Sequence, residues 1–427
     1  MGDYLLYLAT IVVLSAVMMY SNLLSAASDL NGLQAGSVPL LISIVMVVML
    51  SYINNHTLKR RAREFATYIL LGMKRTTIAL TFFVETLVLG ALGFVLGVAL
   101  GAVIFSALTT FAFPTLGQST SFLSLGSLYA LRDTLLYFVL IEALSLGLCI
   151  RKIRRLQINS LLTEEKQNQT LKGKARPVFW NVIFVCCLAA FLALTEAIVG
   201  NHGAVAMMMG MNTILVPVVG GVWSFYKMVF HWAIWLRANR RQTLYEGSRL
   251  YLVAQMLSKV SSNIALNTVL SISLLLAVLT FAVGTILPQM SGDIFPKDQA
   301  SWLSFAEIGL SLVFIAIYFS FLAVRIIVEA KESQYGFKVM AYLGTSKKYR
   351  QQLILKEIAI RFILPALLCL LVLAFSALQL NGLLNSLLPY NNALLAAYTL
   401  FAGCFVALYL VYFLVTYRLC SGYLLAE

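Results

Sequence analysis

Ten long apolar runs succeed one another along the chain, at about 4–24, 38–54, 79–111, 128–150, 178–199, 205–230, 264–287, 302–328, 358–380 and 393–417. Several exceed the roughly 18 residues at which a helix can cross a bilayer. Lipid offers the backbone no hydrogen-bond partner, so each span must be a helix. The pattern predicts an all-α, multi-pass membrane protein with about ten transmembrane helices. The polar stretches on one side, 25–37, 112–127, 200–204, 288–301 and 381–392, are too short to hold a folded domain; Asp29-Leu30-Asn31-Gly32, Pro114 and Pro296 mark turns in them. The first run lacks a basic lead and is as long as a full span, so it reads as a retained helix rather than a signal peptide.

Between the second and third runs lies a stretch that recurs near the end of the chain. Arg63-Glu64-Phe65-Ala66-Thr67-Tyr68-Ile69-Leu70-Leu71-Gly72-Met73-Lys74-Arg75 leads into an apolar helix bearing Glu85. Tyr335-Gly336-Phe337-Lys338-Val339-Met340-Ala341-Tyr342-Leu343-Gly344-Thr345-Ser346-Lys347 leads into one bearing Glu357. Without a gap, Phe65 falls on Phe337, Leu71-Gly72 on Leu343-Gly344, Arg75 on Lys347 and Glu85 on Glu357, the signature of an internal repeat. Positions 65, 68, 69 and 72 share one helical face. Gly72 and Gly344 suit a helix C-terminal cap. Each copy is therefore expected to be a short amphipathic helix, capped, then a sharp turn into a long span. Such a helix can lie on a membrane surface or fill a groove on a partner.

The charge distribution sets the topology. The chain is 61% hydrophobic and 11% charged. Six basic residues fall in 55–78, eight in 151–177, five in 231–263, six in 329–357 and Arg418 near the end, against Lys297 alone in the opposite loops. By the positive-inside rule both termini and both copies of the repeat face the cytosol. The net charge of +14 arises from this bias, and no nucleic-acid partner is expected. Six spans separate the copies, so the repeat is parallel, unlike the inverted repeats common in secondary transporters.

Within the spans, Gly93, Gly97 and Gly101, with Gly90 just before, recur at a spacing of about four. That places a smooth face where another helix can approach. The helix bearing them is long enough to project from the membrane. Pro217, Gly220-Gly221 and Pro365 are candidate kinks. His231, Trp232, Trp235, Arg237, Arg240 and Arg241 read either as an interfacial segment or as an ordinary span terminus with an aromatic belt. The six cysteines have no metal-ligand spacing and read as small apolar fillers.

The chain has no G-x-x-x-x-G-K-[ST], so it lacks the usual nucleotide-phosphate cradle, and it has no H-E-x-x-H or G-x-S-x-G. No catalytic, cofactor-binding or metal-binding residue is expected. Ionisable residues inside spans carry a functional hypothesis by default. They are Glu85, Arg132 with Asp133, Glu142, Glu196, Glu307, Arg325, Glu357 and Arg361. Structural pairing, substrate contact and proton relay remain open as their roles, with pairing favoured.

Arg63-Glu64-Phe65, Leu70-Leu71-Gly72-Met73-Lys74-Arg75, the Gly90/Gly93/Gly97/Gly101 helix, and Arg151-Lys152-Ile153-Arg154-Arg155-Leu156 followed by Leu161-Leu162 together resemble the FtsX-like permease family. The ten-span plan resembles the permeases of bacitracin-type peptide-antibiotic transporters, without their large extracellular domain. Only 288–301 stands in that place, which leaves peptide sensing in doubt. The short basic cytosolic lead of those relatives is also missing. The second copy departs from the pattern at Gly336 and at Thr345-Ser346.

The resemblance implies a first span with its outer loop (1–37), a first FtsX-like module (38–162), central spans (163–301) and a second parallel module (302–427). It implies a multi-pass protein of the bacterial cytoplasmic membrane. It also implies a separate ATP-binding-cassette ATPase, two copies per chain, carrying the ATP and Mg. The residues expected to dock it are Arg63, Glu64, Phe65, Leu71, Gly72, Met73, Lys74, Phe337, Leu343 and Gly344. The function so implied is the membrane subunit of an ATP-driven complex, transmitting motion across the membrane. It would export or confer resistance to peptide antibiotics, or handle a lipid-linked envelope intermediate. Two other readings stand beside it: a regulatory module acting on a sensor kinase or cell-wall hydrolase, and an ion-coupled secondary transporter using the intramembrane acids.

Overall fold

In the computed structural model the described residues are 2–30, 38–112, 125–155, 177–200, 204–239, 251–252, 264–290, 297–387 and 393–425. They form eleven α-helices and one 3-10 turn, and no strand occurs among them. The helices are α1 (Gly2–Leu30), α2 (Val38–Arg60), α3 (Ala62–Leu70), α4 (Arg75–Ala112), α5 (Leu125–Arg155), α6 (Pro177–Gly200), α7 (Ala204–Asn239), α8 (Ile264–Ile286), α9 (Lys297–Tyr342), α10 (Lys347–Leu387) and α11 (Ala393–Leu425). The ten long helices coincide with the ten apolar runs, and α3 is the short element of the repeat. Seven of them are long and apolar enough to cross a membrane when the described residues are weighed by hydropathy. The helix α5 carries Arg132, Asp133 and Glu142 along its length, which lowers its apolar score. Helices α7 and α10 continue through Pro217 and Pro365.

The chain forms two compact units. One comprises residues 1–168, 276–328 and 377–403; the other comprises 169–275, 329–376 and 404–427. Of the two expected modules, 38–162 falls inside the first unit, whereas 302–427 is shared between both.

The core of the first unit is built where α1, α2, α4 and α5 meet. Gly93, Gly97 and Gly101 of α4 lie against α1: a methyl group added at Gly93 would meet Ile11, one at Gly97 the Ser15 side chain and the Val12 carbonyl, and one at Gly101 the Ala16 backbone. These three glycines thus line the face of α4 that meets α1. Ser15 Oγ donates to the Ile11 carbonyl at 2.7 Å and approaches the Gly93 carbonyl at 3.3 Å, an approach that only a glycine face allows. Gly90 faces α5 instead, beside Glu142 and Phe138. Buried polar pairs tie the same helices: Tyr7 OH donates to Glu142 at 3.2 Å, Asn22 to Thr134 at 2.8 Å and Asn54 to Ser145 at 2.9 Å. Between spans, where hydrophobic exclusion from water supplies no drive, close packing and such bonds hold helices together.

In the second unit Phe362 packs against Tyr409, Tyr412 and Phe413, and Tyr409 OH donates to the Phe362 carbonyl at 2.7 Å. The described cysteines Cys186, Cys187, Cys369, Cys404 and Cys420 are unpaired thiols.

Candidate functional site

The repeat forms two helical turns of the same geometry. At the first, the Leu71 amide donates to the Thr67 carbonyl at 2.9 Å, Gly72 to Ile69 at 3.0 Å and Met73 to Tyr68 at 3.0 Å. At the second, Leu343 donates to Val339 at 3.0 Å, Gly344 to Ala341 at 3.0 Å and Thr345 to Met340 at 3.2 Å. The next helix opens alike in both, with Ile78 donating to the Lys74 carbonyl and Arg350 to that of Ser346. This is the Schellman pattern, in which a left-handed residue lets the last carbonyls find amides. Gly72 at φ +91° and Gly344 at φ +82° supply that residue. The gapless register read from the sequence is thus reproduced bond for bond.

The two copies differ in how they are reached. The first is a separate helix, α3, set off from α2 at Arg61 (φ −90°, ψ 6°). The second is not a separate short helix, as expected from its sequence, but the end of α9, which runs unbroken from Lys297 to Tyr342. Its lead-in contains no proline, and its single glycine, Gly336, is tolerated inside a helix.

The expected docking residues sort into two groups. Phe65 is only 4% exposed and Phe337 is fully buried. Phe65 sits in a cluster with Leu58, Ile78, Ala79, Phe82 and Leu146, edge-on to Phe82. Phe337 meets Tyr251 edge-on. These rings hold the helix to its own unit and offer no surface to a partner. Of the face that the spacing picked out, Phe65 and Ile69 turn inward, while Tyr68 and Gly72 are exposed. The accessible apolar surface is at the tips: Leu70 is 66% exposed and Leu71 76%, Tyr342 88% and Leu343 78%. Gly72, Met73 and Lys74 are exposed beside the first pair, and Gly344, Ser346, Lys347 and Lys348 beside the second. Glu64 is exposed and paired with Arg61 at 3.0 Å. Arg63 lies in α3, with its side chain outside the described set. The sequence reading missed Leu70 and Tyr342. Their signal was the position directly before Leu71-Gly72 and Leu343-Gly344, where a helix end turns away from its core.

Behind each tip an ion pair braces the hairpin. In the first, the Arg61 guanidinium binds Glu85 of α4 as well as Glu64, and lies 5.2 Å over the Phe65 ring. In the second, Arg361 pairs with Glu357 one turn away on α10 and with Glu329 of α9 at 2.8 Å. All three side chains of this second set are buried. Glu85 and Glu357 therefore occupy matching positions, with the arginine supplied by the α2–α3 junction in one copy and by the same helix in the other. Neither Arg61 nor Glu329 stood out in the sequence: Arg61 was one of a basic run, and Glu329 sits at the edge of an apolar one. Of the other intramembrane charges, Glu142 takes the Tyr7 hydroxyl, Arg325 is buried, and Arg132 pairs with its exposed neighbour Asp133 at 2.9 Å. The side chain of Glu196 lies outside the described residues.

Among the described residues no cluster of three or more His, Cys, Asp or Glu could hold a metal ion. The two turns share one geometry, each with an exposed apolar tip, an exposed lysine beside it and a paired charge set behind it.

Residues 36–158 match the family model described as FtsX-like permease C-terminal. No curated protein matches the chain.

Proposed function

Because residues 36–158 match the FtsX-like permease model, a family that forms the membrane part of ATP-binding-cassette complexes, we propose that this chain is the permease through which a separate ATPase drives movement across the bilayer. Permeases of this family partner with such ATPases and carry no ATPase site of their own. One ATPase subunit would grip the Leu70-Leu71 tip and a second the Tyr342-Leu343 tip. The observation that carries this reading is the identical geometry of the two turns, each presenting a pair of large apolar side chains to its surroundings. Single exposed apolar side chains are ordinary, and it is their recurrence as a pair at both turns, beside exposed lysines, that supports a partner surface. Phe65 and Phe337 would set the angle of each tip from within, and the Arg61–Glu85 and Glu329–Arg361–Glu357 sets would carry its displacement into α4, α9 and α10. By the positive-inside count both tips, and both chain ends, would face the cytosol.

The load would be a peptide antibiotic or a lipid-linked envelope intermediate taken from the outer leaflet. Residues 287–296 are all that joins α8 to α9, so the load would be met by the spans themselves. The engagement of Glu85 and Glu357 by arginines speaks against using them as carriers in an ion-coupled transporter.

Exchanging Leu71 and Leu343 together for Asp should abolish co-purification of the ATPase while leaving the permease folded, since both side chains are exposed. Stoichiometric ATPase retained on the double variant would reject the docking assignment.

A further inference from the structure

The hairpin of α6 and α7 carries a feature that the coupling turns do not use. Along α7, Trp223, Lys227 and His231 recur every four residues and so share one stripe of the helix. Trp180 of α6 lies across from them. The Lys227 ammonium is 5.7 Å from the Trp180 ring and 5.9 Å from the Trp223 ring. The His231 ring stacks on Trp180, with centroids 6.0 Å apart and planes 11° from parallel. Trp232 and Trp235 continue the aromatic surface at the next turn.

Depth is set by the helices. Trp180 is about 30 Å along the axis from the end of α6 at Gly200, and Lys227 about 35 Å from the start of α7 at Ala204, at 1.5 Å per residue. That is about one hydrocarbon thickness. The cluster therefore lies at a membrane–water interface, the one that the basic loops place on the cytosolic side.

Among the described residues, Lys227 faces two indole rings and no carboxylate. The single acid between Pro177 and Asn239 is Glu196, close to the opposite end of the hairpin. Beyond His231 the sequence adds Arg237, Arg240 and Arg241. A half-buried ammonium with no counter-charge among the described residues, held between indole rings at headgroup depth, calls for an anion. The anion abundant at that depth is a lipid phosphate. Indole rings in turn favour the glycerol and headgroup zone.

We propose that Lys227, framed by Trp180, Trp223 and His231, is a binding site for the headgroup phosphate of an anionic phospholipid. Occupancy would fix the depth of the α6–α7 hairpin in the bilayer. The site stands apart from the ATPase reading, since neither helix carries a coupling tip.

Four of the five tryptophans, Trp180, Trp223, Trp232 and Trp235, belong to this region, and Trp302 is the other. In a Trp302→Phe chain, indole fluorescence therefore reports on this cluster. The full-length chain is reconstituted into phosphatidylcholine bilayers containing phosphatidylglycerol, with bromine placed on the acyl chains of one lipid or the other. Brominated phosphatidylglycerol should quench with an apparent association constant about fivefold that of brominated phosphatidylcholine, as expected for one lysine at an anionic surface. Lys227→Gln should bring the two lipids to parity, Lys338→Gln should not, and inorganic phosphate should not compete. Equal quenching in the parent chain would show an ordinary aromatic belt and overturn the proposal. So would an undiminished preference in Lys227→Gln, an equal loss in Lys338→Gln, or displacement by free phosphate.

Discussion

Gly72 and Gly344 are the residues on which both turns depend. Each has a left-handed backbone, and a Cβ added at either would meet nothing within 4 Å. Space is not what selects glycine there; backbone conformation is. A side chain in that region costs roughly 1–2 kcal/mol, and a β-branched one sits at the upper end. Gly72→Val should therefore destabilise the purified protein by about 1–2 kcal/mol, while Gly72→Asn, which tolerates this conformation, should lose only a fraction of that. Thermal unfolding in one detergent compares them. The same order is expected at Gly344, and equal losses for Val and Asn would show that something other than φ selects glycine.

Paired charges link the helices that enter and leave each turn. Arg361 is shared by Glu329 and Glu357, and all three are buried. Removing the arginine alone strands two carboxylates, so Arg361→Met should cost about 3–5 kcal/mol. Exchanging Glu329 and Glu357 for apolar residues of similar volume in the same chain should restore most of that loss, because breaking a buried set is worse than replacing it. Denaturation of the single and triple variants measures both. This element also shows how far a sequence can be read. The spans were legible because apolar length has one meaning in lipid. The turns were legible because glycine, register and flanking helices repeat together. The direction of the α3 face was not: Phe65, Tyr68 and Ile69 make one periodic stripe, and contacts with α2, α4 and α5 draw in Phe65 and Ile69 while Tyr68 stays exposed. Nor was Glu329, since a salt bridge between spans leaves no local pattern. The Gly93/Gly97/Gly101 seam announced a close neighbour without saying that it was α1.

At the scale of the whole molecule, the long helices among the described residues support two matched tips whose apolar side chains are exposed. One tip lies within the domain matched to the FtsX-like permeases; the other repeats its turn geometry outside that match. A chain with two such tips suits an engine of two subunits that close on ATP and open on its loss. A photoreactive amino acid placed at Leu71 or at Leu343, in the full chain in its native membrane, would test this most directly. The account predicts that light joins each tip to an ATP-binding-cassette ATPase, and that the same probe at the exposed α4 position Val95 does not. Adducts to the ATPase from Val95 with none from either tip would contradict it.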